Sequence, residues 1–431
     1  MKKIPALLLL LGLCACSTST KSDPSDLTIY VDPFIGTDGT GHTFPGPSLP
    51  FGMVQPGPDN TDMGWDYTSG YQLKDDTIIG FSNTRASGTG ISEFGDVLLF
   101  PLPVDDDRFK VQKGKEIARP GYYQVVLSNT VKAELTCTDR VAFHRYTYPD
   151  KEGKLLLNFQ HGLRFLTDSL VLDSEVSIDK DFQGISGYCH TRNWVERKYF
   201  FQVDFDQAFA KMDTLPRQAK ENAPKFVLHF NLPERELNVK VALSSVSVEG
   251  AQENLEAELP HWNFDACKTE ASSIWNQYLN RITIEADPRQ KRIFYTALYH
   301  LFLQPSNIAD ADGRYRGADD QIHQAERGAY YSTLSLWDTY RAAHPLYTIM
   351  VPERVNGFIQ TMLDHHDAQG YLPIWTAWGQ ENHCMIGNHA IPVIVDAFVK
   401  GFDGFDPQRA LTSMVESTTE NHLNSDWNLY N

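Results

Sequence analysis

The chain has no cluster of basic residues. Its 38 Lys and Arg are outnumbered by 55 Asp and Glu, a formal charge of −17, which excludes a nucleic-acid partner whose phosphates would need neutralising. Cysteine is scarce as well. Of six in 431 residues, Cys137, Cys189, Cys267 and Cys384 stand far apart with no CxxC spacing, so no disulfide scaffold is encoded and buried free thiols, or at most one bridge, are expected. Beyond the N-terminus no apolar run is long enough to cross a bilayer. What remains is a large body that exceeds what one core commonly supports, so two domains are expected.

The N-terminus itself reads as an export signal. "MKKIPALLLLLGLCACSTST" has two lysines, a short apolar run and then small residues around a cysteine. Leu13-Cys14-Ala15-Cys16 has the form of a bacterial lipobox, with Cys16 as the lipidated residue, because bulky Leu13 precedes Cys14. Residues 1–16 are thus signal and lipobox, and 17–26 a polar tether that carries the protein as a cell-envelope lipoprotein, on the membrane only through its lipid.

From about 27 to 260 helical periodicity is nearly absent. "VKAELTCT" places Val131, Ala133, Leu135 and Cys137 on one face and Lys132, Glu134, Thr136 and Thr138 on the other, a half-buried strand. Similar runs continue through "ELNVKVALSSVSV", parted by Gly, Asp and Asn, which predicts an antiparallel β-sandwich. After a linker region at 261–286 the period changes to 3.6. Asp287-Pro288 gives a cap and a first-turn proline, followed by an apolar stripe of Ile293, Phe294, Ala297, Leu298, Leu301 and Phe302. Val355, Phe358, Ile359, Met362 and Leu363 mark another helix ending near Gly370, and Asp406-Pro407 opens a third. About six helices are predicted in all, joined by unequal loops whose polar, aromatic members are the natural seats of function.

Between Tyr30 and Asn60, Gly and Pro are too dense for a regular element, so the stretch is either an ordered lining loop or a linker. Phe34, Ile35, Phe44, Phe51 and Met53 favour order. These residues, with "SGY", "IIGFSNTRASGTG" and "GDVLLFP", resemble the N-terminal domain of family-92 glycoside hydrolases, calcium-dependent exo-α-mannosidases. "RVAFHRYTYP", "FYTALYHLFLQP", "SLWDTYRAAHPL" and the stretch from Gly370 through "HAIPVIVDAFVKGFDGFDP" extend the resemblance in order to Pro407. It implies a β-sandwich packed on an (α/α)6 barrel, with a site for mannose-containing glycans in the cleft between them and α-1,2 linkages as the commonest substrate. It also implies calcium, a hard cation suited to sugar hydroxyls, without fixing its ligands.

Two departures stand out. Where the family commonly has His-Thr-His, this chain has Asn83-Thr84-Arg85, which alters the expected sugar contacts of that loop. An (α/α)6 barrel needs twelve helices, so residues 287–431 are expected to be only its first part. The family's general acid and base sit in Glu-Gly-Asn-Ala-Trp and Asn-Asp-Asp segments that do not occur in these 431 residues. Inverting hydrolysis needs one carboxyl to protonate the leaving oxygen and one carboxylate to activate water, roughly 6.5–9.5 Å apart. The chain is therefore expected to be the front part of an α-mannosidase, or a carbohydrate-binding or inert remnant, with no catalytic residue of its own.

Candidate sugar contacts remain. Asp338 follows Trp337 at a helix start and either pairs with Arg341 or reaches sugar hydroxyls; the resemblance favours the latter. Trp65 is either a core residue or an aromatic wall, and Arg85 either a surface arginine or a cleft group. Within "GYLPIWTAWGQENHCMIGNHAIP", the spacing of His383 and His389 does not suit zinc and Cys384 does not suit a nucleophile. The resemblance makes Trp375 and Trp378 apolar walls, and Glu381 and His389 polar contacts. The acidic loop Gly317–Gly328 lacks the alternation of a calcium-binding hand and reads as solvated.

Overall fold

The computed structural model describes residues 25–164 and 170–420. Cys16, the lipobox and most of the tether lie outside the described residues. Two antiparallel sheets, of six and nine strands, form the sandwich. The larger is built on the ladder Gly184–Arg192, Glu196–Phe205, Glu236–Ser244, Val141–Thr147 and Lys132–Cys137. Eight α-helices are present among the described residues: α1 (Val248–Glu258), α2 (Phe264–Leu279), α3 (Pro288–Leu301), α4 (Leu336–Thr339), α5 (Ala343–Met350), α6 (Pro352–Gln369), α7 (Ala390–Val399) and α8 (Pro407–Thr419).

The architecture is the expected sandwich followed by helices, with differences inside each half. Lys132–Cys137 is not half-buried: Glu134 and Thr136 are as enclosed as Ala133 and Leu135, because α2 covers the outer face of the sheet. The strand pattern expected to run through Val248 stops at Ser244. Ser247 instead caps α1, its hydroxyl accepting from the Gly250 N–H at 3.1 Å. Helix α1 lies on the same outer face, with Leu255 and Leu259 packed on Tyr122, Val141 and Phe143.

The start signals hold. Asp287 accepts from the N–H groups of Arg289 and Gln290 in a capping box, and Asp406 accepts from Gln408. Gly370 closes α6 at φ +85°. The stripe on α3 is rotated from expectation. Tyr295, Leu298, Tyr299 and Phe302 are buried, whereas Ile293 is 55% exposed and Ala297 faces outward. Tyr295 satisfies its hydroxyl in the interior by donating to the Ile282 carbonyl at 3.2 Å, and Tyr299 packs its ring on Trp275 at 4.4 Å.

The Gly/Pro-rich loop joins the two halves. Phe51 is buried against Tyr278, Phe302, Tyr347 and Phe358, with ring centroids 5.7–6.3 Å away. Its N–H donates to the Phe302 carbonyl at 2.7 Å, and Trp275 Nε1 donates to the Ser48 carbonyl at 2.6 Å. Phe44 and Met53 are buried anchors as expected, but Ile35 is exposed. Cys137, Cys189, Cys267 and Cys384 are free thiols. Among the described residues no helix is long and apolar enough to cross a membrane.

Candidate functional site

The polar and aromatic residues singled out in sequence are divided between the halves, Trp65 and Arg85 on the sandwich and the others on the helical half, and not all of them face outward. On the helical side, a two-residue ladder, Thr376–Ala377 with Gln380–Glu381, folds the stretch after α6 into a hairpin. Ser335, ahead of α4, bridges to Trp375, and the Leu334 N–H donates to Thr376 Oγ1 at 3.2 Å. This pairing brings α4 beside the loop 382–389. Trp337 is 41% exposed and Asp338 is exposed, its carboxylate accepting from the Ser335 hydroxyl.

Asp338 makes no ion pair with Arg341; that guanidinium lies over the Tyr340 ring, 5.1 Å from its centre. Tyr340 in turn packs on His389 at 4.4 Å. Burial, backed by the charges of Asp338 and Glu381, raises the Cys384 thiol, and burial with the nearby Arg341 lowers His389. Met385 and Ile386, 45% and 61% exposed, form the outer lip.

On the sandwich side, Trp65 stands at the start of a 3₁₀ turn, 44% exposed, so it is not a core residue. Its ring meets His42 edge to face at 4.5 Å. His42 is buried, with Nδ1 bonded to the Thr89 carbonyl at 2.8 Å and Nε2 without a partner. Sequence reasoning missed His42; only its place in the glycine-rich loop two residues before Phe44 hinted at it. The next loop carries the connection across the seam. With its amide oriented by the bonds it makes, Gln304 donates to the Ser87 carbonyl at 3.3 Å and accepts from the Ser87 N–H at 3.2 Å, while the Gln304 carbonyl accepts from Tyr347 of α5 at 2.9 Å.

Four expected contacts are turned inward instead. Arg85 is fully buried: it pairs with Asp59 at 3.0 Å and donates to the carbonyls of Gln55, Gly57, Pro58, Ser69 and Ser82 and to the Ser82 hydroxyl. It has no donor left for a sugar and is neither a surface nor a cleft group. Trp378 is 3% exposed, with Nε1 bonded to the Lys198 carbonyl at 2.9 Å and its ring against Phe94 and Arg197. Trp375, equally buried, belongs to the same core. Both indoles fill the seam rather than wall a cleft. Glu381 has a side chain only 1% exposed and spends its oxygens on backbone N–H groups.

The acidic loop is solvated as expected, with Asp319 on His323 at 2.9 Å and Asp320 on Arg316 at 3.2 Å. Among the described residues no group of three or more His, Cys, Asp or Glu is disposed to hold a metal.

Residues 30–244 match the family model described as the glycosyl hydrolase family 92 N-terminal domain, and 250–430 match that of the family 92 catalytic domain. The chain belongs to glycosyl hydrolase family 92. A family 92 α-mannosidase from Bacteroides thetaiotaomicron is 33% identical and superposes with a TM-score of 0.86 over 92% of this chain and 57% of its own. The same enzyme has also been solved in complex with mannoimidazole. An inverting family 92 mannosidase from that organism, 24% identical, shares the fold at a TM-score of 0.83, covering 94% of this chain and 57% of its own. An uncharacterized secreted glycosidase of Arthroderma benhamiae is 26% identical over 95% of this chain and 54% of its own length. This family 92 chain thus spans little more than half the length of these relatives. The break between the two family models, 244 to 250, coincides with the turn from the last sandwich strand into α1.

Proposed function

We propose that this chain carries sugar-contacting groups of an exo-acting, inverting α-mannosidase, directed at α-1,2-linked mannose of N-glycans or mannan, and that it is exported and held at the cell envelope by lipid on Cys16. The observation that carries the reading is the outward-facing Trp337–Asp338 pair at the start of α4, beside the loop 382–389 and within the residues matched by the family 92 catalytic domain. An exposed indole next to an exposed carboxylate suits a sugar, whose C–H face packs on the ring while its hydroxyls donate to the oxygens. Trp65 supplies a second indole from the sandwich side, and His389 a polar edge. Calcium belongs to the proposal as the family's hard cation for sugar hydroxyls, with ligands not drawn from a cluster in these residues.

A second reading, binding without hydrolysis by these 431 residues alone, is favoured by a specific observation. Of the two carboxylates singled out at the site, only Asp338 faces outward, and inversion requires a pair. Titration of the full chain with mannoimidazole, followed by tryptophan fluorescence, tests both readings. Saturable binding is expected, weakened about 10- to 100-fold in Asp338→Asn by loss of a charged acceptor. No release of mannose from an α-1,2-mannobioside is expected, with or without calcium. Absence of binding would sink the sugar-site reading, whereas mannose release by the chain alone would place the acid and base within it. Fractionation of the producing cells is expected to put the chain with membranes, and Cys16→Ser in the soluble fraction.

A further inference from the structure

The hairpin that leads into the loop 382–389 cannot be held by its own backbone. Trp378, Gly379, His383 and Met385 take φ of +50°, +81°, +57° and +73°, and three of the four are not glycine. Left-handed residues of this kind persist only where the surroundings over-determine them. The ladder here has two residue pairs, too few to do so.

What ties it is the Glu381 side chain. Oε1 accepts from the N–H groups of Trp375, Asn382 and His383 at 2.9, 3.0 and 2.9 Å, and Oε2 from that of Ile374 at 2.7 Å. One carboxylate therefore gathers both ends of the hairpin, from 374–375 on the way in to 382–383 on the way out. Oε2, with one bond, is approached from behind by His365 Nε2 of α6 at 3.8 Å. Both ring nitrogens of His365 are buried without a hydrogen-bond partner, and the ring meets Tyr371 edge to face at 6.0 Å. Burial keeps His365 neutral, its pKa lowered to about 3, and pushes Glu381 up to about 7 against its four backbone donors. Tyr371 beyond α6, Tyr330, and His383 and Cys384 of the loop itself complete the titratable groups around the carboxylate.

We propose that Glu381, backed by His365, is a positioning residue: it fixes the loop 382–389 beside Asp338 and Tyr340 and does not itself touch the sugar. The proposal rests on the sugar-site reading for its functional consequence but not for its structural one. Glutamine at 381 keeps the volume and its carbonyl oxygen can hold the three N–H groups at the Oε1 place, but its NH₂ group then faces the Ile374 N–H, so the clasp is weakened at that end without opening a cavity.

Hydrogen exchange of the full chain decides the structural part. In Glu381→Gln, amides of the 371–389 peptide are expected to exchange about 10-fold faster while those of strand Glu196–Phe205 keep their rate. Glu381→Asp, which restores an acceptor on a shorter arm, is expected to recover part of the protection. His365→Asn, a second variant should Glu381→Gln fail to fold, is expected to loosen the same peptide less. Mannoimidazole affinity is expected to fall with loop protection across the series. Wild-type exchange in Glu381→Gln, or acceleration spread equally over the sandwich, would overturn the clasp; a loosened loop with unchanged affinity would overturn the positioning role. Should the wild type bind no sugar, the proposed function falls while the exchange arm still decides the clasp.

Discussion

Arg85 shows what a single residue does in this fold when its neighbours are backbone. Its guanidinium sits where strand Gly57–Asp59 and the turn at Ser69 converge, and it donates to the carbonyls of both. A planar fork of five N–H groups matches that cage, and lysine does not. Burial opposes the Asp59 charge, but Arg85, His161 and the Ser82 N–H still hold its carboxyl below the usual range. Removing one member of such a pair strands the other in the interior. Arg85→Met is expected to lower the unfolding free energy by about 3–5 kcal/mol, read by urea denaturation, with sugar affinity of the folded fraction unchanged. A loss below 1 kcal/mol would show the pair to be dispensable. At this scale the sequence is least informative. Arg85, Trp375, Trp378 and Glu381 are polar or aromatic residues in loops, as site residues are, and nothing periodic tells which side of a loop faces in. Trp337 and Asp338 were better placed, because a helix start on the outside leaves adjacent residues few ways to hide.

Elements were more legible than residues, because period survives where direction does not. The alternation in Lys132–Cys137 correctly gave a strand, yet its polar face is covered by α2 through a network the pattern cannot announce. Glu134 takes Arg145 Nε and Nη2 at 3.0 Å each, Lys132 Nζ at 2.8 Å and the Tyr122 hydroxyl at 2.7 Å, and Arg145 reaches Asp265 in the first turn of α2 at 3.0 Å. A charged face that satisfies itself laterally can accept a helix without an apolar stripe. The same network sets a pH dependence. Although burial alone would raise it, Arg145, Lys132 and Tyr122 bring the Glu134 carboxyl down to about 2 from an ordinary 4.5. A folded value below the unfolded one means that the unfolded chain binds the proton more readily. The contribution is full above about pH 4.5 and lost as pH falls towards 2. Urea midpoints measured across that window are expected to drop in the wild type and to slope less in Glu134→Gln, which starts lower at neutral pH. Equal slopes would remove Glu134 from the account.

The order of the whole molecule, sandwich and then helices, followed from the change of period alone, but the helical half presents an outer face that composition does not predict. Ile349 of α5, Val395, Phe398 and Val399 of α7, and Leu411 and Val415 of α8 are 42–73% exposed. Between α7 and α8 lies a concavity of about 300 Å³ lined by Ile394, Val395, Phe398, Phe405, Pro407, Ala410, Leu411 and Met414, with Gln408 the one polar side chain among them. Soluble monomers seldom leave contiguous apolar surface of this kind in water, since covering it recovers roughly 25 cal/mol for each Å². The net charge of −17 keeps copies apart at low salt, but screening shortens that repulsion to about 10 Å at 0.1 M ionic strength, whereas burial of the patch needs no charge. Self-association of the 431-residue chain is therefore expected to increase with salt. Sedimentation velocity at two ionic strengths checks the direction. Phe398→Ser with Leu411→Ser is expected to return the chain to a monomer at both, because neither residue supports a neighbouring core. A wild type that stays monomeric with a single cooperative unfolding transition would mean that this face is stable in water as it stands.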